Sequence, residues 1–226
     1  MSFELQALLL VWGMLVGLDL VSVPQVMIAR PLVAGAVAGA MLGDIPTGLQ
    51  VGVVFELFQH DILPMGAVRY PEYGPATVAA VSAAHATSAA DGFGLGVIVG
   101  LITAILGGSS IHLMRRVNAY AVRRAADALD GGDVRTLVRL HVESILRDAA
   151  RAAIVTAIGL GFAAGVSKVM TLTSVLRGGS GLFLAVSATA AALAVAAAGT
   201  LRLVRGPTLA WFAAGLLGGA AGVWLR

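Results

Sequence analysis

Val23-Pro24-Gln25-Val26-Met27-Ile28-Ala29-Arg30-Pro31, the apolar run Leu32 to Leu42, the turn Gly43-Asp44-Ile45-Pro46-Thr47 and a second apolar run from Gly48 to Phe58 decide how this chain folds. Proline has no amide hydrogen and its ring clashes with the preceding turn, so Pro24 and Pro31 forbid a continuous helix through this stretch. The run Leu32 to Leu42 reaches only about 16 Å at helical rise, against a bilayer core of about 30 Å. Asp44 is placed to cap the following helix, and Pro46 is tolerated in its first turn. Two half-length apolar arms joined by such a turn predict a re-entrant hairpin or a pair of broken helices. Irregular backbone at membrane depth persists only where protein or a watery cavity surrounds it. In transporters, interrupted segments of this kind mark the substrate site.

The glycines agree with this reading. Gly35, Gly39 and Gly43 recur at intervals of four, and Gly48 and Gly52 repeat the spacing. Helices in lipid associate by close backbone approach, which small residues permit, so these positions predict simple helix packing.

Working outward, the rest of the chain is as apolar as its centre. Hydrophobic residues make up 58% and charged residues only 12%, where soluble domains carry about a quarter charged. Such a surface needs hydrocarbon as its solvent. The apolar runs are continuous rather than alternating, which disfavours a transmembrane barrel. The fold expected is an all-α polytopic membrane protein, one membrane domain over 1–226. It has about six to seven transmembrane segments, including the short broken or re-entrant helices. The first helix runs from Leu5 to Val23 and contains Asp19. Its N-terminal flank lacks the basic residues of a signal peptide, so it is expected to remain as a helix.

Beyond Phe58 come Gln59-His60-Asp61 and then a non-helical passage with Pro64, Arg69, Pro71, Glu72 and Pro75. A small-residue helix over 76–90 and a full span over 93–114 follow. Further spans are expected over 152–172, 182–201 and 208–225. Between them, Arg115 to Arg151 carries eight arginines against five acids. Val134, Leu137, Val138, Val142, Ile145 and Leu146 give part of it an amphipathic helical period. This arginine density places a loop of about 115–151 in the cytoplasm. It also accounts for the net charge of +3 without any nucleic acid. The absence of cysteine excludes disulfides and thiolate metal sites.

The ordered set Arg30-Pro31-Leu32, Leu42-Gly43-Asp44-Ile45-Pro46-Thr47-Gly48, Phe55-Glu56-Leu57 and Pro64-Met65-Gly66 resembles the IIC subunits of the mannose/fructose/sorbose phosphotransferase family. Leu140-His141-Val142-Glu143-Ser144-Ile145-Leu146-Arg147 is similar to that family's second block. The resemblance covers about 5–165. It implies a bacterial plasma-membrane subunit that works with a IID membrane partner, forms trimers, and carries a hexose inward by an elevator-like displacement. A soluble IIB subunit phosphorylates the sugar with phosphate drawn from phosphoenolpyruvate through IIA. It implies no cofactor and no phosphorylated histidine in this chain. The chain departs from the family pattern at Pro24, Met27, Pro64 and Glu72, where members carry Asp, Gln, Asn and Asp.

Five residues are the candidates for contacting substrate: Glu56, Gln25, Asp19, Glu72 and Arg69. An ionised carboxylate inside an apolar segment costs at least about 2.5 kcal/mol and needs a partner or water. For Glu56 that partner is either a sugar hydroxyl, which a carboxylate binds well, or a structural cation, Arg30 or Arg69. Asp19 follows the same argument or meets the interface at a helix end. Gln25 suits a sugar or the broken backbone equally, since its amide donates and accepts. Glu72 and Arg69 are close enough in sequence to pair with each other. Glu56 and His60 are too few ligands for a metal site. His85 and His112 read as polar packing, His141 as a residue of the cytoplasmic amphipathic helix, and the arginine-rich loop as lipid-facing surface or a dock for a IIB-type partner. Two other functions fit the same residues: a IIC-like scaffold or regulator that no longer transports, and an unrelated secondary transporter.

Overall fold

The computed structural model describes residues 2–60, 70–87, 89–173 and 180–203, with the isolated positions 210, 214 and 215. The described residues are helical, without strands, in the order α1 (Phe3–Val21), α2 (Pro31–Met41), α3 (Ile45–Gln59), α4 (Tyr73–His85), α5 (Ala89–Arg124), α6 (Ala126–Asp130), α7 (Val134–Thr173) and α8 (Ser180–Leu203). Phe3–Val21, Gly92–Arg124 and Val134–Val169 are each long and apolar enough to cross a membrane. Shorter apolar helices accompany them, so the chain is a multi-pass membrane protein. The expected span over 208–225 lies outside the described residues.

The half-length arms form as the prolines and caps require. Pro31 opens α2, and Asp44 caps α3 by accepting the Thr47 amide at 3.2 Å. Gly43, at φ +72°, ends α2 with the two carbonyl contacts of a Schellman turn: Asp44 N to Gly39 O at 2.7 Å and Gly43 N to Ala40 O at 3.1 Å. The glycine spacing then brings the two arms into backbone contact. A methyl group on Gly39 would stand 2.7 Å from the Asp44 carbonyl oxygen and 2.9 Å from Gly48 Cα. Only glycine permits that crossing.

Helix α4 is the centre of the bundle. Every residue from Tyr73 to Ala84 is buried, which is why the stretch after Pro75 is made of alanine, valine and small hydroxyl residues. It is enclosed by α5 and α7 on one side and by the α2–α3 hairpin and α1 on the other. Phe55, Phe58 and Tyr73 meet at centroid distances of 5.8–6.2 Å and fix α3 against the start of α4. Leu8, Val11 and Leu15 of α1, Ile102 and Ile105 of α5 and Ile154 and Phe162 of α7 face outward, as lipid-contacting side chains do.

The arginine-rich segment differs from its expected form. It is helical over more of its length than the amphipathic period alone predicts: α5 continues to Arg124, the short α6 follows, and α7 begins at Val134 and runs unbroken for 40 residues. No proline stands between Pro75 and Pro207, and alanine, leucine, arginine and glutamate propagate a helix through the charged stretch. Asp130-Gly131-Gly132-Asp133 is the turn between them, with Gly132 at φ +77°. Asp133 caps α7 through the Thr136 hydroxyl at 2.7 Å and the Arg135 amide at 3.0 Å. Those hydrogen bonds hold its carboxyl below the usual carboxylate range. The last turn assigned to the loop is a second correction. Asp148 and Arg151 are buried in the bundle, at 4% and 5% exposure.

Candidate functional site

The connector between α1 and α2, residues 22–30, contains Gln25 and is held directly by Asp19 and Glu56, three of the five nominated positions. With proline at 24 it cannot be helical. It turns through left-handed conformations at Gln25 (φ +59°) and Met27 (φ +69°), which cost non-glycine residues about 1–3 kcal/mol each. Such backbone persists only where its surroundings over-determine it.

Asp19 supplies much of that restraint. Its side chain lies at the buried end of α1, at 3% exposure, and accepts the amides of Val26 at 2.6 Å and Ala29 at 3.0 Å. The connector folds back over the helix that precedes it because a carboxylate there replaces the missing helical acceptors. Asp19→Asn is expected to destabilise the fold by about 1–3 kcal/mol, since the amide turns a donor toward a buried N–H. Faster proteolysis within 22–30 in detergent solution checks it; an unchanged cleavage rate would count against Asp19 as the restraint.

Glu56 stands on α3 where the connector enters α2. It pairs with Arg30, one of the two expected cations, and accepts the Leu32 amide at 3.2 Å. Arg69 lies outside the described residues. The pair is half open: the Arg30 side chain is 47% exposed and that of Glu56 is 23%. Gln25 is exposed on the connector.

Glu72 has a different setting from the one its neighbour Arg69 suggested. It is fully buried just before α4, and its amide donates to Ala104 O at 2.9 Å. Its two carboxylate oxygens take the Arg151 guanidinium at 2.6 and 2.9 Å, a bidentate ion pair across 79 residues of sequence. Arg151 also donates to Asp148 at 2.7 Å and to the Ser110 hydroxyl at 3.2 Å. The Ser22 hydroxyl, first in the connector, donates to the other oxygen of Asp148 at 2.6 Å. Among the described residues no buried side-chain polar atom lacks a partner.

Arg151 and Asp148 are the residues that sequence reasoning missed. Their signal was an acid and an arginine one helical turn apart at the mouth of an apolar span, masked by the arginines before them. His85 closes the far end of the site's scaffold, with Nδ1 3.2 Å from Asp44 Oδ2 in the α2–α3 turn. A cleft of about 390 Å³ at Tyr70 is lined by His112 and Arg116 and by none of the nominated residues.

Chemically, the accessible part of this arrangement is a carboxylate beside a guanidinium. A hydroxyl both donates and accepts, so such a pair offers it both functions at once. All three acids have both oxygens engaged, but Asp19 and Glu72 are buried at 3% and 0% exposure, whereas the Glu56 side chain is 23% exposed and open to a further donor.

Residues 5–178 match the family model described as the PTS system sorbose-specific IIC component. The fructose permease IIC component of Bacillus subtilis (strain 168) is 28% identical over 129 residues, 57% of this chain and 47% of that protein. The PTS system mannose-specific EIIC component of Escherichia coli (strain K12) is 28% identical over 148 residues, 65% of this chain and 54% of that protein. The chain thus spans about half the length of the curated relatives it matches. In fold it is similar to a solved "Structure of membrane protein", with TM-score 0.77 and 22% identity over 97% of this chain and 87% of that one. It is also similar to the cryo-EM structure of the mannose transporter ManYZ in complex with microcin E492. There the TM-score is 0.56 and the identity 21%, with the same coverage.

Proposed function

The chain belongs to the sorbose-type IIC family of phosphotransferase-system components, and on that premise we propose that it is a sugar-translocating membrane subunit. It binds a hexose at the half-open face of the connector and moves it inward for phosphorylation by a soluble IIB partner. Phosphate comes from phosphoenolpyruvate through IIA, and a IID subunit completes the membrane complex, in the plasma membrane of a bacterium and in three copies. The observation that carries this reading is the Arg30–Glu56 pair. It is charged, partly accessible, and set where two broken helices meet, the place where transporters build substrate sites. Glu56 and Arg30 hold sugar hydroxyls and Gln25 approaches from the connector. Arg69, if it joins them, comes from the segment preceding Glu72. Asp19 and Glu72 shape the face from behind.

The test is uptake of labelled hexoses by cells that lack other hexose carriers and express the chain with its partner subunits. The sugar should arrive phosphorylated, and only while phosphoenolpyruvate-dependent transfer operates. Accumulation of free sugar without that transfer would overturn the reading. One observation favours a second reading, a IIC-like scaffold that no longer transports. Glu72 stands where members carry Asp, and Arg151 engages both of its oxygens. That reading predicts no hexose binding by the purified complex.

A further inference from the structure

Three carboxylates from three helices hold the connector along its length. Asp19 holds its middle through Val26 and Ala29, and Glu56 holds its exit through Arg30 and the Leu32 amide. Asp148 holds its entry through Ser22, reaching it from α7 across 126 residues of sequence. The first acid adjoins the connector in sequence, and the second follows it by one helix, on α3. The third is brought there by the fold.

Arg151 decides where Asp148 points. It sits one turn further along α7, at 4% side-chain exposure, and spreads its guanidinium over α1, α5, α7 and the residue that precedes α4. Its contacts there are Gly17 O at 3.5 Å, both oxygens of Glu72, Ser110 Oγ and Asp148. One guanidinium is thus shared by two buried acids. Glu72 alone balances its charge. A second acid at this depth adds a desolvation penalty that the cation does not require. What Asp148 adds is an oxygen turned away from Arg151 and onto Ser22, the first residue of the segment that carries Gln25 and Arg30.

We propose that Arg151 and Asp148 are positioning residues for the hexose site. Acting through Ser22, they set the placement of the connector and so the affinity for sugar, although neither touches it. The hexose part of this inference rests on the transport reading above.

The chain contains no cysteine, so a single introduced thiol reports on the connector. Ala29 is 5% exposed and its carbonyl abuts the start of α4 at Gly74. In membranes of cells expressing the full complex, Ala29→Cys should react slowly with a maleimide. Adding Ser22→Ala, or Arg151→Lys, which keeps the charge but loses the planar fork, should speed labelling roughly tenfold, the equivalent of one charge-assisted hydrogen bond. Without the added cysteine, the same two variants should raise the KM for hexose uptake about tenfold while Vmax stays within about twofold. Ser22→Thr, which retains the hydroxyl, should restore the parent KM. A merely structural role would instead lower the amount of inserted protein and Vmax at constant KM. Unchanged labelling in both variants overturns the network's hold on the connector. Faster labelling with unchanged KM overturns its role in sugar affinity. A parent that takes up no hexose overturns the transport reading and the affinity claim with it, and labelling then decides the network's hold alone.

Discussion

Arg151→Met is expected to destabilise the protein by about 3–5 kcal/mol, because removing one partner of a buried ion pair leaves its acids uncompensated. The bidentate contact to Glu72 is made at 4% and 0% side-chain exposure, where water cannot replace the lost donors. Asp148, 5% exposed in its side chain, loses its cation in the same step. The decisive comparison is with Glu72→Met/Arg151→Met. Replacing both partners of a buried pair by apolar residues of similar volume is often neutral. The double variant should therefore recover much of the stability lost by the single one, short of what Asp148 still misses. Thermal unfolding in detergent reads both. A double variant no more stable than Arg151→Met would show that the pair does not account for the effect.

Glu56→Ala is expected to abolish hexose uptake while leaving the protein folded and inserted. Its carboxylate offers two oxygens, and each charge-assisted hydrogen bond contributes about 1.5–3 kcal/mol, so losing both from the sugar weakens binding at least a hundredfold. Stability responds much less. Glu56 and Arg30 are 23% and 47% exposed in their side chains, and the freed guanidinium remains open to solvent. This contrast in exposure separates the two ion pairs. The Glu72 pair, out of reach of any ligand, acts through the fold and the placement of the connector, and the Glu56 pair is open to a ligand. Labelled hexose uptake, beside membrane abundance by immunoblot, measures both quantities. Uptake at parental level in Glu56→Ala would remove this residue from the site. Loss of the protein itself would assign Glu56 to the fold.

Much of the site was legible because its logic is local. Pro24 and Pro31 break the chain whatever surrounds them, and Glu56 in an apolar run demands a partner. The candidate cation that answers it, Arg30, stands at the break itself. Asp19 was nominated for its cost in lipid, and its role in holding Val26 and Ala29 follows from where α1 stops. Glu72 was nominated too, but with Arg69 as its nearest cation in sequence. Its partner in the fold is Arg151, 79 residues away.

The amino-acid sequence determined that this chain is helical and lives in lipid. It also determined that α2 and α3 are half-length arms and that glycines let them touch. These follow from backbone chemistry and from hydrophobicity summed over short windows, which act before any distant contact forms. Only the tertiary structure decided which charges meet. Arg151 is one of eight arginines between 115 and 151, most of which stay exposed. It is buried because α7 packs that one turn against α1, α4 and α5. An ion pair is specified by three-dimensional distance, and no spacing rule along one helix encodes a partner on another.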